Sequence, residues 1–375
     1  MSVGIKILRL FFLYPLSLIY GMLVAVRNAL YENKILKSKS FDFPVICVGN
    51  LTVGGTGKTP HVEYIIRLLK NEFGVAVLSR GYKRKTKGFK LAGEADTAKT
   101  IGDEPLQMKQ KFPDVTVAVD EKRVRGIEKL SEMDDLNAVI LDDGFQHRKV
   151  HAGLNILLSD YNRPFTRDNF LPFGRLREHA HEHRRAHIII ITKCPKDMKP
   201  IEKRLMDKEL KIYPFQYLYF TSYEYGNLKK VFEPDVEYTL EELSSTPHDI
   251  IGLSGIARNK LFKNKLHKLG TLRKTFKYPD HHYYKPEELK RITNQFEKIE
   301  SQKKILITTE KDAVKIKQMD EVPETLKKHL YYLPIQVVFL GNKEQEEEFK
   351  YQIIRYVKTN RRYSKLYKEQ DFPKS

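Results

Sequence analysis

Gly54, Gly55, Gly57, Lys58 and Thr59 are the residues of this chain best suited to hold phosphate. They close the run 45–60, Val-Ile-Cys-Val-Gly-Asn-Leu-Thr-Val-Gly-Gly-Thr-Gly-Lys-Thr-Pro, which reads as a buried strand, a glycine-rich turn and the start of a helix. Backbone N–H groups in such a turn can point inward at phosphate oxygens, and the helix N-terminus adds partial positive charge. Lys58 stands where a P-loop puts its phosphate lysine, and Thr59 where it puts the hydroxyl that meets Mg²⁺. Thr52 occupies the place of the first glycine in the common G-x-x-x-x-G-K-[ST] pattern. Val62, Ile65, Ile66, Leu68 and Leu69 follow at helical spacing, the context the motif requires. Nucleotide phosphates are expected on Thr52, Gly54, Gly55, Thr56, Gly57, Lys58 and Thr59.

A second group of acids stands ready to complete such a site. Asp142-Asp143-Gly144-Phe145-Gln146-His147 follows the apolar run Ala138–Leu141. An acidic residue at a strand end is a Walker B-type position, able to hold Mg²⁺ directly or through water. Gly102-Asp103-Glu104-Pro105 opens another helix, where Asp103 either caps the helix or faces the phosphates as a general base for an acceptor hydroxyl. Arg123 is a candidate anion ligand, and the basic run Lys83, Arg84, Lys85, Lys87, Lys90 reads first as a solvated loop. In Tyr278-Pro279-Asp280-His281-His282-Tyr283, the bland reading is a polar capping turn; the sharper one sends His281 across a cleft to the phosphates or to Asp103. Thr308-Thr309-Glu310-Lys311-Asp312-Ala313 reads equally well as functional or as a plain strand-to-helix turn. His179, His181, His183 and His187 read as a polar helix face rather than a metal site, since no HExxH motif accompanies them.

The elements that must position these residues alternate along the chain. Strand-like runs at 45–48, 75–79, 115–119, 138–141, 155–158 and 188–192 are separated by helical patterns, which predicts a mostly parallel sheet with helices on both faces. In such sheets ligands bind beyond the carboxyl ends of the strands, where the polar motifs fall. A second set begins near Tyr217, with strands at 250–253, 272–276, 304–308 and 330–333 and helices at 259–269, 286–299 and 344–357. The reading is an α/β chain with four parts: an N-terminal membrane-associated helix (1–35), a P-loop NTPase-like core (36–220), a smaller C-terminal α/β domain (221–360) and a basic tail (361–375).

Charge and composition narrow the partners. Net charge is +19 over 375 residues, so anionic partners are expected: nucleic acid, phosphorylated small molecules or anionic membrane. Cys47 and Cys194, each in an apolar stretch, offer no disulfide framework and no cysteine zinc site, which suits a reducing cytoplasm. From Leu10 to Val26 no residue is charged, and Lys6, Arg9 and Arg27 flank the run. That length is at the lower limit for a span, so an interfacial or half-inserted helix is expected, with a full span or a helix packed on the protein's own core as alternatives. The basic flanks suit anionic headgroups.

Taken in order, these motifs resemble one family, the tetraacyldisaccharide 4′-kinases of lipid A biosynthesis. The resemblance covers most of the chain: Pro15–Gly21, Gly49–Thr59 (including Thr52, where the family has a small hydroxyl residue), Ser79–Tyr82, Gly102–Pro105, Asp142–His147, Leu171–Glu178 and Asp280-His281. It implies ATP- and Mg²⁺-dependent phosphorylation of the 4′-hydroxyl of an acylated glucosamine disaccharide 1-phosphate, forming lipid IVA at the cytoplasmic face of the bacterial inner membrane. It further implies that Lys58 neutralises the β/γ-phosphates and that Thr59, Asp142 and Asp143 serve the metal. Asp103 would take the hydroxyl proton, paired with His281, while Glu104, Arg123, Gln146 and His147 line the nucleotide and metal site. No oligomer is required.

Two other classes are weaker. A GTPase-type switch lacks a lysine at Val53 and a guanine-reading Asn-Lys-x-Asp string. A nucleic-acid-dependent ATPase has charge in its favour but no recognised module, and no nucleic-acid partner is expected.

Overall fold

The structure, a computed structural model, describes the backbone of residues 3–369 apart from 234, 247, 257, 258 and 342, and side chains between residues 10 and 360. Lys6 and Arg9 at one end, and the basic tail with Arg361, Arg362, Lys365 and Lys368 at the other, have side chains outside the described residues.

The chain opens with helix α1 (Val3–Glu32). There follow β1 (Val45–Asn50), α2 (Lys58–Leu69), β2 (Val75–Ser79), β3 (Lys90–Leu91), α3 (Ala98–Ile101), α4 (Asp103–Lys111) and β4 (Thr116–Val119). Next come α5 (Arg123–Ser131), β5 (Ala138–Asp142), β6 (Leu154–Asp160), β7 (Ile188–Thr192), α6 (Pro200–Leu210) and β8 (Tyr217–Tyr225). A second series runs β9 (Leu228–Lys230), β10 (Glu237–Tyr238), α7 (Leu240–Ser245), β11 (Asp249–Ser254), α8 (Lys260–Leu269), β12 (Thr271–Lys277), α9 (Pro286–Glu297), β13 (Lys304–Thr309), α10 (Glu310–Lys317), α11 (Glu324–His329) and β14 (Leu330–Leu333). The chain ends with β15 (Ile335–Phe339) and α12 (Lys343–Glu369).

Among the described residues the first sheet has the order β15-β8-β7-β6-β1-β5-β2-β4-β3. Every pair from β8 to β4 is parallel, and antiparallel β15 and β3 close the two edges. The central strands are buried on both faces, which is why Val45–Val48 and Ile188–Ile191 are continuous apolar runs rather than alternating ones. Strand order reverses around β1, which lies between β5 and β6. The connection from β1 runs one way, past β5 to β2, and that from β6 runs the other way to β7, so the chain parts between β1 and β6 at the sheet's carboxyl end, the crevice in which open α/β sheets bind ligands. Register fixes the neighbours: Val48 lies opposite Asp142, so Asn50 and the acidic pair leave the sheet side by side.

The second sheet, β10-β9-β14-β13-β11-β12, has a parallel centre over its own core of Leu253, Leu289, Phe296 and Leu306. Its extent differs from the sequence reading, which put 221–360 in one unit. β8 pairs with β7 in the first sheet, and β15 returns to pair with β8. Helix α12 lays Phe349, Ile353 and Val357 against Ile46, Ile156, Ile188 and Tyr219 of that sheet. Spacing of four residues specifies an apolar helix face but not the surface that covers it. Burying these three side chains contributes roughly 1.5–3 kcal/mol each to the first layer.

Helix α1 is tied to the loop after β6 along one stripe. Ser17 Oγ donates to Phe170 O (2.8 Å) and accepts from Phe173 N–H (2.9 Å). Tyr20 Oη donates to Arg177 O (3.0 Å), and Arg27 pairs with the fully buried Glu178 at 2.5 Å. The other face is apolar and bare: Phe11, Ile19, Met22 and Leu23 are all more than half exposed. Leu10–Glu32 is long and apolar enough to cross a membrane, yet little of it is buried against the protein.

The histidine run is not a helix face. Ala180–Arg185 is a 3₁₀ turn, His183 is buried beside Phe165, and His187 Nδ1 accepts from Asn155 N–H at 3.0 Å. These contacts give the run a structural part in seating β7.

Candidate active site

Helix α2 starts at Lys58, directly after the glycine turn. Gly57 sits at φ +91°, and a Cβ there would lie 1.8 Å from Tyr223 Oη, so only glycine fits. The loop's carbonyls are tied to the protein. Lys193 Nζ bonds Gly55 O, Thr192 Oγ1 donates to Thr56 O (2.8 Å), and His61 Nδ1–H donates to Gly57 O (2.8 Å). Burial pushes the His61 imidazole down to about 4, so it is neutral in that role. Buried Asn50 donates from Nδ2 to Thr56 Oγ1 (2.8 Å) and accepts from Lys58 Nζ (3.4 Å), which orients the lysine from beneath. Thr52 is buried and bridges to Leu176, and Thr59 is half-buried in the first turn of α2.

Asp142 and Asp143 adjoin this loop in different states. Burial, then Asp143 and Glu104, push the Asp142 carboxyl up to about 7. Its Oδ2 accepts from Ser79 Oγ (3.3 Å), while Oδ1 is buried with no hydrogen-bond partner. An orphaned carboxylate oxygen beside a P-loop fits a divalent cation: hard oxygen donors are what Mg²⁺ takes, and binding would displace the proton that burial favours. Asp143 stands at φ +52°, a conformation that costs of order 1 kcal/mol outside glycine. That turn aims it at Arg177 Nη1 (3.0 Å) and Lys58 Nζ (3.5 Å). Its burial is outweighed by these two cations, which hold its carboxyl below the usual range. Gln146 bridges the same cluster, donating to Asn50 O (2.7 Å) and accepting from Arg177 (3.2 Å). Arg123 lies buried behind the acids, with Nη2 3.5 Å from Asp142 O, and burial pulls it down to about 10. His147 is half-buried and held down to about 4 by burial and by Arg123, hence neutral at neutral pH.

Asp103 comes to the same end of the sheet by a close backbone approach. Gly102, at φ +96°, packs against Gly81 beyond the end of β2, with 3.1 Å between a built Cβ and Gly81 Cα. Gly102 takes the cap position of α4, so Asp103 is the first helical residue and not the cap. Its carboxylate, 2 % exposed, instead meets His281 Nδ1 at 3.1 Å, across 178 residues. His281 is held at φ +59° and has Tyr82 5.0 Å from its ring. The neighbouring His282 turns away to Glu288 (2.8 Å) and stacks on Tyr278. Burial would raise the Asp103 carboxyl, but His281, Lys315 and Lys311 together hold it below its ordinary range. Glu104 pairs with Lys311 at 2.9 Å.

The structure thus brings Lys58, Asp142, Asp143, Gln146 and Arg123 into one cluster, and Asp103, Glu104 and His281 into another. Sequence reading did not single out Asn50, Arg177, Lys311 or Lys315. Arg177 lay inside the motif Leu171–Glu178, and Lys311 in 308–313, but neither stretch named its partner.

The chain matches the family described as tetraacyldisaccharide-1-P 4′-kinase over residues 9–354. It is 47 % identical over 360 residues to the tetraacyldisaccharide 4′-kinase of Bacteroides thetaiotaomicron, covering 94 % of each chain. To the enzyme of that name from Flavobacterium johnsoniae it is 42 % identical over 349 residues, covering 93 % of this chain and 97 % of the relative. A crystal structure of LpxK from Aquifex aeolicus in complex with ATP superposes with a TM-score of 0.70 at 31 % identity, covering 92 % of this chain and 98 % of that one. With a matched region that takes in the P-loop, both acidic motifs and His281, the chain belongs to the tetraacyldisaccharide-1-P 4′-kinase family.

Proposed function

We infer that this chain transfers the γ-phosphate of ATP to the 4′-hydroxyl of tetraacyldisaccharide 1-phosphate, the step that gives the bis-phosphorylated lipid A precursor. We propose the following division of roles. Lys58 and the amides of Gly54–Gly57 hold the β- and γ-phosphates, with Asn50 orienting Lys58. Asp142 and Thr59 would hold Mg²⁺, and Asp143 orders Lys58 and Arg177. When bound, the cation neutralises charge on the phosphates. Asp103, kept anionic by its neighbours, takes the proton of the 4′-hydroxyl as that oxygen bonds to the γ-phosphorus and ADP departs. His281 steadies the carboxylate and receives part of its charge through Nδ1–H. Glu104, Arg123, Gln146 and His147 complete the polar lining.

The buried Asp103–His281 pair carries this reading: a carboxylate held anionic at the carboxyl end of the P-loop sheet, next to the Glu104 whose charge acts on Asp142, meets a histidine from the second sheet. The bare apolar face of α1 supports membrane association. We propose that it lies in the inner membrane's cytoplasmic leaflet among anionic headgroups, delivering the acylated substrate to the site, with no oligomer required. The test is Asp103→Ala and His281→Ala: turnover falls at least 100-fold for the first and 10-fold for the second, with ATP affinity little changed. A variant that keeps near-normal turnover removes its residue from the mechanism.

A further inference from the structure

Helix α10 of the second sheet directs two lysines, one turn apart, at the α4 acids. Lys311 Nζ lies 2.9 Å from Glu104 Oε1 and 3.3 Å from Asp280 Oδ1. It is also 3.3 Å from His281 Nδ1 and 3.5 Å from Nε2, so it sits against the imidazole rather than at one nitrogen. Lys315 Nζ, almost wholly buried, is 3.9 Å from Asp103 Oδ2; it donates to His282 O and pairs with Asp312, both at 3.0 Å. The residue before Lys311 anchors the same junction: Glu310 and the buried Glu63 of α2 each hold Lys111 of α4 at 2.7 Å.

We propose that Lys311 is a positioning residue for phosphoryl transfer: it clamps Glu104, Asp280 and His281 in one arrangement so that His281 meets Asp103 squarely. This deepens the proton-acceptor role given to Asp103 and rests on it. His281 comes from a turn in the left-handed region, after β12, and Asp280 of that turn, whose Oδ2 lies 3.8 Å from the ring Nε2, is itself held by Lys311. Lys311 touches an acid on each side of the gap, Glu104 from α4 and Asp280 from the histidine's own turn, and the ring between them. A cation so placed joins the two sheets at the point where the proton is taken.

A second consequence is electrostatic. The groups facing Asp103 are His281, Lys311, Lys315, Glu104 and Tyr283, with Asp280 and Asp312 behind the two lysines. Lys311 is among the charges that hold the Asp103 carboxyl down. Its removal disfavours the carboxylate, so the pH below which turnover fails moves upward.

The experiment uses the full chain in detergent micelles, comparing wild type, Lys311→Met, Lys311→Arg and Asp103→Ala. Turnover is followed from pH 5 to 9, together with ATP affinity and thermal midpoint. Lys311→Met is expected to lower turnover at least tenfold with ATP affinity within about twofold, and to move the acid limb up by roughly half to one pH unit. Lys311→Arg restores the limb and most of the rate. The proposal is overturned if Lys311→Met leaves the acid limb in place, whether the rate is normal or falls only in step with ATP binding and thermal midpoint. Asp103→Ala separates the two readings: if that variant turns over normally, the proton-acceptor role fails whatever Lys311→Met does.

Discussion

Asp142→Asn should make the metal-free protein more stable while abolishing its activity. Burial and the neighbouring Asp143 push the Asp142 carboxyl up to about 7, against about 3.9 in an unfolded chain. A raised carboxyl costs nothing below the unfolded value. The cost grows as pH climbs through 4 to 7 and is flat above. Three units correspond to about 4 kcal/mol at pH 8. Asparagine removes that charge, but its amide adds a buried donor where Oδ1 has no partner, at about 1–3 kcal/mol. The net gain is roughly 1–3 kcal/mol at pH 8, a few degrees in thermal midpoint for a chain of this size, and it vanishes near pH 5. Thermal unfolding of both proteins in chelator at the two pH values makes the comparison. Adding Mg²⁺ should stabilise the wild type and not the variant, with turnover of the variant down at least 100-fold. A variant less stable than wild type at pH 8, or a gain independent of pH, would refute the assignment of an unsatisfied, metal-awaiting carboxylate.

Other outcomes follow from the same geometry. Gly57→Ala places a methyl on Tyr223 Oη at an αL position and should weaken ATP binding at least tenfold, measured by calorimetry. Paired with Tyr223→Ala, which frees the space but not the backbone, it should recover only part of that loss. Ile19→Glu with Leu23→Glu on the bare face of α1 should cut binding to anionic vesicles at least tenfold while leaving the thermal midpoint of the detergent-free protein within a degree or two. Lys111→Met leaves the buried Glu63 and Glu310 without their shared cation at the junction of α2, α4 and α10; stability should fall by about 3 kcal/mol, read by urea unfolding.

Strands were legible wherever burial on both faces made an apolar run bounded by turn residues: Val75–Ser79, Ile188–Thr192 and Leu330–Leu333 have the bounds expected of them. The P-loop was legible because its glycines and Lys58-Thr59 are consecutive, so its chemistry needs no distant partner. What escaped depends on partners far along the chain. β15 is a short run that can pair with either sheet, and only the edge left by β8 decides. Helix α12 carries an apolar stripe whose destination no local pattern encodes. His281 was placed near Asp103 as one option among several, yet which of the two adjacent histidines turns inward depends on a left-handed backbone angle with no sequence signature. Arg177 and Lys311 escaped for a related reason: a lone cation in a mixed motif acquires meaning only from the acids that folding sets beside it.

The central claim is transfer to the lipid. ATP labelled at the γ-phosphate is incubated with tetraacyldisaccharide 1-phosphate in detergent micelles, and the lipid is extracted and its phosphorylated position identified. Label on the 4′-oxygen, absent with Lys58→Ala, is the result predicted here. Release of labelled inorganic phosphate with no labelled lipid would contradict it and leave the acidic pair, the Asp103–His281 contact and the bare face of α1 without a common purpose.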